Sequence, residues 1–314
     1  MNRKIGRKGI VFSIFFLVIL VTSGWLFIHS KTEAKDNSKT VSKNVVTNNS
    51  TSSKKIENQD DSLLKIDKFK EGFIPKGNIN NKTLTYLNNS KAIPILYYHS
   101  IDYEKGNELR VPKEQFREQM KYLYDNGYIT LSLDEVYDLL QNDRPIPDKA
   151  IAITLDDGYE DNYTNAFPIL KEFGEKATVF MISGAAGTDK AYLTPEQLQE
   201  MDTNGMEIES HTVRHDDLIK LSYEEQLNTM KQAKSTLEGI LGRSVYYFAY
   251  PFGHYNADSI KAAKEVGYKM AVTTKGGFAS KSNGMYTLQR VYISANFNMD
   301  EFKYRITHPN YESR

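Results

Sequence analysis

The stretch ITLDDGYEDNY, residues 153–163, ends an apolar run with two adjacent aspartates and a glycine. Two like charges in a partly buried site make each other costlier to ionise, so Asp156 and Asp157 need something that neutralises them. Neighbouring side chains on an extended backbone point to opposite faces. One carboxylate can therefore bind a cation while the other acts on a water molecule, and the cation offsets the repulsion. The stretch predicts a strand that ends in a catalytic site.

Short apolar runs recur on both sides of this stretch and alternate with amphipathic segments. The predicted strands are residues 92–98, 150–155, 177–182, 206–210, 245–250 and 270–274. The predicted helices are residues 113–126, 133–140, 195–204, 222–241 and 257–266. Strand followed by helix, repeated, is typical of a parallel α/β architecture. A domain of about 220 residues has the length of a doubly wound sheet or of a barrel.

Four of the histidines follow predicted strands, where parallel α/β folds build their sites: His99, His211, His215 and His254. His211 and His215 have i, i+4 spacing, so one helical turn would aim both imidazoles the same way. With one aspartate they form a three-ligand site for a divalent cation that leaves a position open. Two alternatives are a pair of surface histidines and a calcium-binding turn built from DDGYED alone.

The composition excludes several other kinds of site. The 314 residues contain 40 Lys and Arg against 40 Asp and Glu, so the net charge is zero and nothing indicates a nucleic-acid partner. The chain has no cysteine, which excludes disulfides, thiolate metal ligands and a cysteine nucleophile. Any metal must therefore be bound by histidine and carboxylate. No obligate protein partner is indicated.

The N-terminus has the pattern of a membrane anchor. Basic residues between positions 3 and 8 precede the uncharged run GIVFSIFFLVILVTSGWLFI, residues 9–28. A single membrane-spanning helix needs about 20 apolar residues, whereas the apolar region of a signal peptide is shorter. The basic flank favours the cytoplasm, which places the rest of the chain outside. We expect residues 1–30 to form an uncleaved anchor in the cell membrane; cleavage at residues 32–34, TEA, would instead give a secreted protein.

The segment after the anchor has the composition of a linker. Residues 31–62 are rich in Ser, Thr, Asn and Lys and have no periodic apolar face, so they cannot bury enough surface to fold. We expect residues 31–87 to be a flexible, disordered tether and residues 88–314 to be the folded domain.

Three motifs, in this order, resemble those of the NodB-type polysaccharide deacetylases, carbohydrate esterase family 4. They are TLDDG at 154–158, HTVRH at 211–215 and YPFG at 250–253, and the resemblance covers roughly residues 92–306. PILYYHSI, ATVFMI and FAYPFG further resemble the branch that deacetylates poly-β-1,6-N-acetylglucosamine, a biofilm polysaccharide. The resemblance implies a distorted (β/α) barrel, an extracellular polysaccharide substrate and a divalent metal cofactor, zinc first, with cobalt or nickel as alternatives.

The resemblance also implies a role for each motif residue. It makes three residues the metal ligands: Asp157, His211 and His215. Asp156 becomes the general base, and His99 becomes the general acid for the departing amine, since an imidazole can be protonated near neutral pH. The backbone N–H of Phe252 would help to stabilise the oxyanion.

Some residues depart from the family pattern. Ala249 stands where many members have an arginine that orients the base, and Arg290 in TLQRVYI is a candidate replacement. The late Asp/Trp and L-x-H motifs are missing, which favours the early-histidine branch over the peptidoglycan and chitin branches. Sugar binding would use flat aromatic faces and polar groups near the motifs, and the candidates are Tyr98, Tyr159, Tyr250, Tyr255, His254 and Arg290.

Three other functions stay open on the sequence. The first is a deacetylase acting on the N-acetylglucosamine of peptidoglycan. The second is a glycoside hydrolase with Asp156 and Glu209 as its acid/base pair, although this leaves the histidine pair unexplained. The third is a wall-binding module without catalytic activity, for which the alanine at position 249 is the argument.

Overall fold

Apolar runs of the sequence form the strands of a parallel sheet covered by helices. The computed structural model describes residues 92–313. The predicted anchor and tether, residues 1–30 and 31–87, lie outside the described residues. Ten strands and seven helices carry the fold within residues 92–313, in the following order. They are β1 (Ala92–Ile93), β2 (Ile95–Tyr98), α1 (Lys113–Asp125), β3 (Ile129–Leu131), α2 (Leu133–Gln141), β4 (Ala150–Asp157), α3 (Phe167–Phe173), β5 (Ala177–Met181), α4 (Pro195–Thr203), β6 (Met206–Ser210), α5 (Tyr223–Leu241), β7 (Tyr247–Ala249), α6 (Ala257–Val266), β8 (Met270–Gly276), β9 (Ala279–Ser280), β10 (Leu288–Tyr292) and α7 (Met299–Thr307).

The main sheet closes on itself. Its strand order is β2-β10-β8-β7-β6-β5-β4-β3, and β2 also pairs with β4. Tyr97 lies beside Thr154 and Tyr98 beside Leu155 in this closing pair. The circuit β2-β4-β5-β6-β7-β8-β10 is therefore a parallel barrel, while β3 pairs with the amino-terminal part of β4. Of the two architectures that the sequence left open, the structure has the barrel.

Strand β4 lies at the centre of this architecture. All eight of its residues are buried, as expected for a parallel strand that is covered on both faces. Its last residues are Asp156 and Asp157, so both carboxylates lie at the carboxyl edge of the sheet. The apolar first part of the strand holds the two acids in place.

Helix boundaries follow the capping signals in the sequence. The side chain of Thr194 accepts a hydrogen bond from the backbone N–H of Gln197, and Pro195 occupies the first turn of α4. Gly242 and Gly267 end α5 and α6 in the left-handed conformation, which glycine adopts without the steric cost of a Cβ.

Several short elements were missed in the sequence analysis. Strand β10 reads LQRVY, and the arginine in its middle interrupts the apolar run by which a strand is recognised. Strand β3 has only three residues, and helix α3 begins with a proline in its first turn. None of the helices within residues 92–313 combines the length and apolar character needed to cross a membrane.

Candidate active site

The three predicted metal ligands lie together at the carboxyl edge of the barrel. Asp157 ends β4, and His211 and His215 belong to the loop after β6. One donor atom of each residue lies within 4.8 Å of the others. Oδ1 of Asp157 is 3.4 Å from Nε2 of His211 and 3.5 Å from Nε2 of His215. One carboxylate and two imidazoles thus point at the same small volume.

The loop reaches this geometry without a helical turn. Thr212 and His215 have φ values of 65° and 59°, and Asp157 has a φ of 75°. The prediction that His211 and His215 share a helical turn is wrong: left-handed residues fold the loop back and bring the rings to 4.9 Å between centroids. Such residues cost about 1–3 kcal/mol each and cluster at functional sites. The i, i+4 spacing therefore identified the correct pair of histidines, although they do not lie on the helical turn that the spacing predicted.

These side chains fit a divalent cation. Nδ1 of His211 donates to the carbonyl of Ala249 at 2.8 Å, so Nε2 is the ring nitrogen that faces Asp157. Oδ1 of Asp157 is buried and accepts no hydrogen bond from any residue in 92–313. Burial, together with the nearby His211, lowers the pKa of His215, so its imidazole is neutral and can donate a lone pair. A buried oxygen without a partner beside two imidazole nitrogens is the donor set of a zinc-type site.

Asp156 has a different partner from its neighbour. Arg290 on β10 donates to both carboxylate oxygens, NH1 to Oδ1 at 2.8 Å and NH2 to Oδ2 at 2.7 Å. Arg290 also donates to the carbonyl of Thr273 at 2.9 Å and to Oγ1 of Thr154 at 3.0 Å. Burial alone would raise the pKa of Asp156, but the Arg290 charge outweighs it and holds the pKa at about 2. Asp156 is therefore ionised at neutral pH.

The contact of Arg290 with Asp156 is the one expected of a residue that replaces the arginine missing at Ala249. Its side chain is fully buried and also lies over the ring of Tyr97, 4.4 Å from the centroid. The expectation that Arg290 contacts the substrate is wrong, because no part of its side chain reaches the surface. Its contact is with the carboxylate of Asp156.

His99 follows β2 directly and belongs to the same edge of the barrel. Tyr98 pairs with Leu155, and the residues that come next along the chain are His99 after the end of β2 and Asp156 on β4. Burial lowers the pKa of His99, while the charges of Asp156 and Asp157 oppose that change. The lowered pKa favours the neutral imidazole in this state. Its Nδ1 is buried and has no hydrogen-bond partner among the described residues.

The YPFG loop forms one wall beside the metal ligands. Phe252 has a φ of 60°, and its half-exposed ring lies 4.3 Å from that of His215. The carbonyl of Phe252 accepts a hydrogen bond from Oγ1 of Thr274 at 3.2 Å. Gly253 has a φ of 71°, and a Cβ there would stand 1.9 Å from the same Oγ1. Glycine is required at this position because the loop passes so close to β8.

Two of the predicted sugar-binding tyrosines are core residues. Tyr98 and Tyr250 are both 0% exposed. The hydroxyl of Tyr98 donates to Oε1 of Gln119 at 2.9 Å inside the protein. Proximity in sequence to His99 and to Pro251 does not bring these rings to the surface, and the prediction that they contact substrate is wrong.

The other candidates lie at accessible positions. Tyr255 is 38% exposed and stacks on Tyr250 at 5.1 Å between ring centroids. His254 is half-exposed and its Nδ1 lies 3.1 Å from Oδ1 of Asp217. Tyr159 is half-buried and stacks on Tyr192 at 5.2 Å.

Tyr159 also reaches the metal ligands. Burial raises its pKa, and the nearby charge of Asp157 raises the pKa further. Its partner Tyr192 was missed in the sequence analysis, because it lies in a loop without a motif and approaches Tyr159 only in the folded chain.

Glu209 is not available as a catalytic acid. Its Oε2 accepts hydrogen bonds from the backbone N–H groups of Tyr246 and Tyr247 at 2.8 and 2.7 Å. Its Oε1 accepts from NH1 of Arg243 at 3.0 Å. The carboxylate is buried and fully engaged, so the pairing of Asp156 with Glu209 in a glycoside hydrolase is wrong.

The fold and the site together describe a parallel barrel in which two neighbouring carboxylates have different partners, Arg290 for Asp156 and the histidine pair for Asp157. The family model for polysaccharide deacetylase matches residues 143–271. A Bacillus subtilis (strain 168) protein named as a polysaccharide deacetylase, YxkH, is 46% identical over 202 residues, which cover 64% of this chain and 71% of that protein. The chain belongs to the polysaccharide deacetylase family, with a NodB-type domain, and is a polysaccharide N-deacetylase.

Two further relatives agree with this assignment. The poly-β-1,6-N-acetyl-D-glucosamine N-deacetylase of Staphylococcus aureus is 29% identical over 256 residues, which cover 76% of this chain and 85% of that enzyme. The Streptococcus pyogenes deacetylase PplD, solved in complex with acetate, superimposes with a TM-score of 0.66 at 35% identity. That match covers 71% of this chain and 99% of the other.

Proposed function

We propose that this protein is a metal-dependent N-deacetylase of extracellular poly-β-1,6-N-acetylglucosamine. The observation that carries the proposal is the separation of the adjacent carboxylates. Asp157 faces His211 and His215, whereas Asp156 is bound by Arg290 and ionised. One acid is thereby available for a cation and the other for a proton.

Each residue then has one chemical task. Asp157, His211 and His215 would hold a divalent cation, zinc in the first instance, and that cation would act as a Lewis acid towards the acetyl carbonyl and lower the pKa of water. Asp156, oriented by Arg290, accepts the proton of the attacking water. An amide resists hydrolysis partly because the amine is a poor leaving group, so its nitrogen must be protonated as the bond breaks.

His99 is the proposed donor of that proton. Burial lowers the pKa of His99 in the resting site, so the imidazole must gain a proton before it donates one to the amine. The proton that Asp156 takes from the water supplies it, and the charges of Asp156 and Asp157 favour the protonated form. The backbone N–H of Phe252, in the loop beside His215, is the proposed donor to the oxyanion. A donor of this kind contributes about 2.7–4 kcal/mol in known cases.

The choice of polymer rests on two observations. The Staphylococcus aureus relative, whose name states this substrate, aligns over 85% of its own length. The proposed proton donor follows the first barrel strand, as in the branch of the family that the PILYYHSI stretch resembles. Tyr159, Tyr255 and His254 are the proposed contacts to the sugar chain.

We further propose that the enzyme works outside the cell on a membrane anchor. The apolar run of residues 9–28 is long enough to span a bilayer, and the polar segment that follows would let the domain reach a polymer at a distance. Cleavage after the run would give the same domain in secreted form.

The test is acetate release from three substrates: β-1,6-linked N-acetylglucosamine oligomers, chitin oligomers and peptidoglycan. We expect release from the β-1,6 oligomers without new reducing ends, loss of release after chelation and recovery with zinc or cobalt. Preference for peptidoglycan would overturn the choice of polymer, and full activity of metal-stripped protein would overturn the mechanism. Polymer binding by metal-loaded protein without acetate release would show a binding module.

A further inference from the structure

The residues that follow β2 are held by side chains from the loop after β4. Asn162 is fully buried, and its Nδ2 donates to the carbonyl of His99 at 2.9 Å. Asp161 accepts two hydrogen bonds, one from Oγ of Ser100 at 2.6 Å and one from the backbone N–H of Ile101 at 2.7 Å. Three successive residues, beginning with His99, are therefore fastened by two adjacent side chains.

The backbone conformation of residues 162–166 directs these side chains towards the residues after β2. Asn162–Ala166 is a π-helix, a rare conformation that recurs at functional sites. Asn165 in the same turn donates to the carbonyl of Ile101 at 2.9 Å. The π-helix thus presents two amide side chains to one strand end.

This fastening matters because β2 itself does not hold His99. The ladder between β2 and β4 ends with the pair Tyr98 and Leu155, so His99 lies one residue beyond the last strand pair. The loop that holds it is continuous with Asp156 on β4. Backbone hydrogen bonds with Leu109 and Val111 hold Ser100, the next residue. The hydrogen bond from Asn162 is the one that ties the backbone of His99 itself to the stretch of chain that carries Asp156.

We propose that Asn162, assisted by Asp161, is a positioning residue that sets the imidazole of His99 at working distance from the substrate amine. This inference rests on the role of His99 given under Proposed function. A misplacement of about 1 Å can cost a hundredfold in rate, so the buried hydrogen bond of Asn162 has a large effect on turnover although its side chain touches no substrate.

The experiment is a double-mutant cycle on the metal-loaded enzyme, with acetate release from β-1,6-linked oligomers as the activity. We expect Asn162→Ala to lower kcat by about ten- to a hundredfold with KM changed less than about twofold. In a His99→Ala background the same substitution should lower kcat no further. Asp161→Asn keeps one of the two acceptor oxygens and should therefore lower kcat less than Asp161→Ala does.

A matched control separates positioning from general destabilisation. Ser259 on α6 is equally buried, and its Oγ donates to Oε1 of Gln226 at 2.6 Å. Ser259→Ala should lower the thermal midpoint without lowering kcat. If Asn162→Ala shows the same pattern, or lowers kcat by the same factor in both backgrounds, the inference is overturned. An unchanged kcat in His99→Ala alone overturns the proposed acid as well, so the two failures are distinguishable.

Discussion

Replacing Arg290 with methionine removes the only guanidinium that contacts Asp156 within residues 92–313. Methionine has a similar length, so the cavity is small and the main effect is electrostatic. The variant loses the two bonds to Asp156 and those to Thr273 and Thr154. Asp156 is only 2% exposed and is left as a buried charge. Breaking a buried pair in this way costs about 3–5 kcal/mol.

The assay is thermal and urea unfolding, followed by acetate release. For a domain of this size each kcal/mol lowers the Tm by about 2–4 °C, so we expect a fall of about 6–20 °C. Because Arg290 lowers the pKa of Asp156 from 3.8 to about 2, the pair stabilises the fold above about pH 4 and this contribution is lost as the pH falls towards 2. The stability difference from the wild type should therefore narrow in acid. At neutral pH kcat should fall by at least about a hundredfold, since the carboxylate of Asp156 is no longer oriented by Arg290.

An exposed ion pair on the same domain provides the control. The side chains of Arg117 and Glu172 are 42% and 45% exposed, and such pairs contribute less than about 1 kcal/mol. Arg117→Met should therefore change stability little. The double variant Asp156→Ala with Arg290→Met should be more stable than Arg290→Met alone, because the unpaired carboxylate of residue 156 is gone. If Arg290→Met and Arg117→Met unfold within about 1 kcal/mol of each other, the reasoning about the buried pair is refuted.

Three further outcomes are expected. Elemental analysis should find metal retained in inactive Asp156→Asn but lost from His211→Ala; equal metal loss would contradict the division of tasks. Tyr98→Phe should cost about 1 kcal/mol of unfolding free energy and leave KM unchanged, because its hydroxyl bonds inside the core; a raised KM would restore it as a substrate contact. Gly253→Ala should lower the Tm more than Gly205→Ala, because both have positive φ but only the former places its Cβ against β8; equal shifts would show that φ alone matters.

Where apolar runs are continuous, the predicted strands coincide with strands of the structure, although β4 runs through Asp157, beyond the predicted end at residue 155. The run that precedes Asp156 and the run at residues 177–182 both became buried strands, β4 and β5. Periodicity detects such segments because burial on both faces requires uninterrupted apolar residues. The strand that carries Arg290 was missed for the same reason, since a charged residue in its centre breaks the pattern.

The sequence by itself determined the chemistry of the site: no cysteine, two adjacent carboxylates and a histidine pair, in an order typical of one family. Only the tertiary structure decided which groups pair. It placed Arg290, on β10, against Asp156, directed the imidazoles of His211 and His215 at Asp157, and buried Tyr98 and Tyr250 in the core. The physical reason is that ion pairing and burial depend on contacts between strands far apart in the chain, whereas a motif records only neighbours along it.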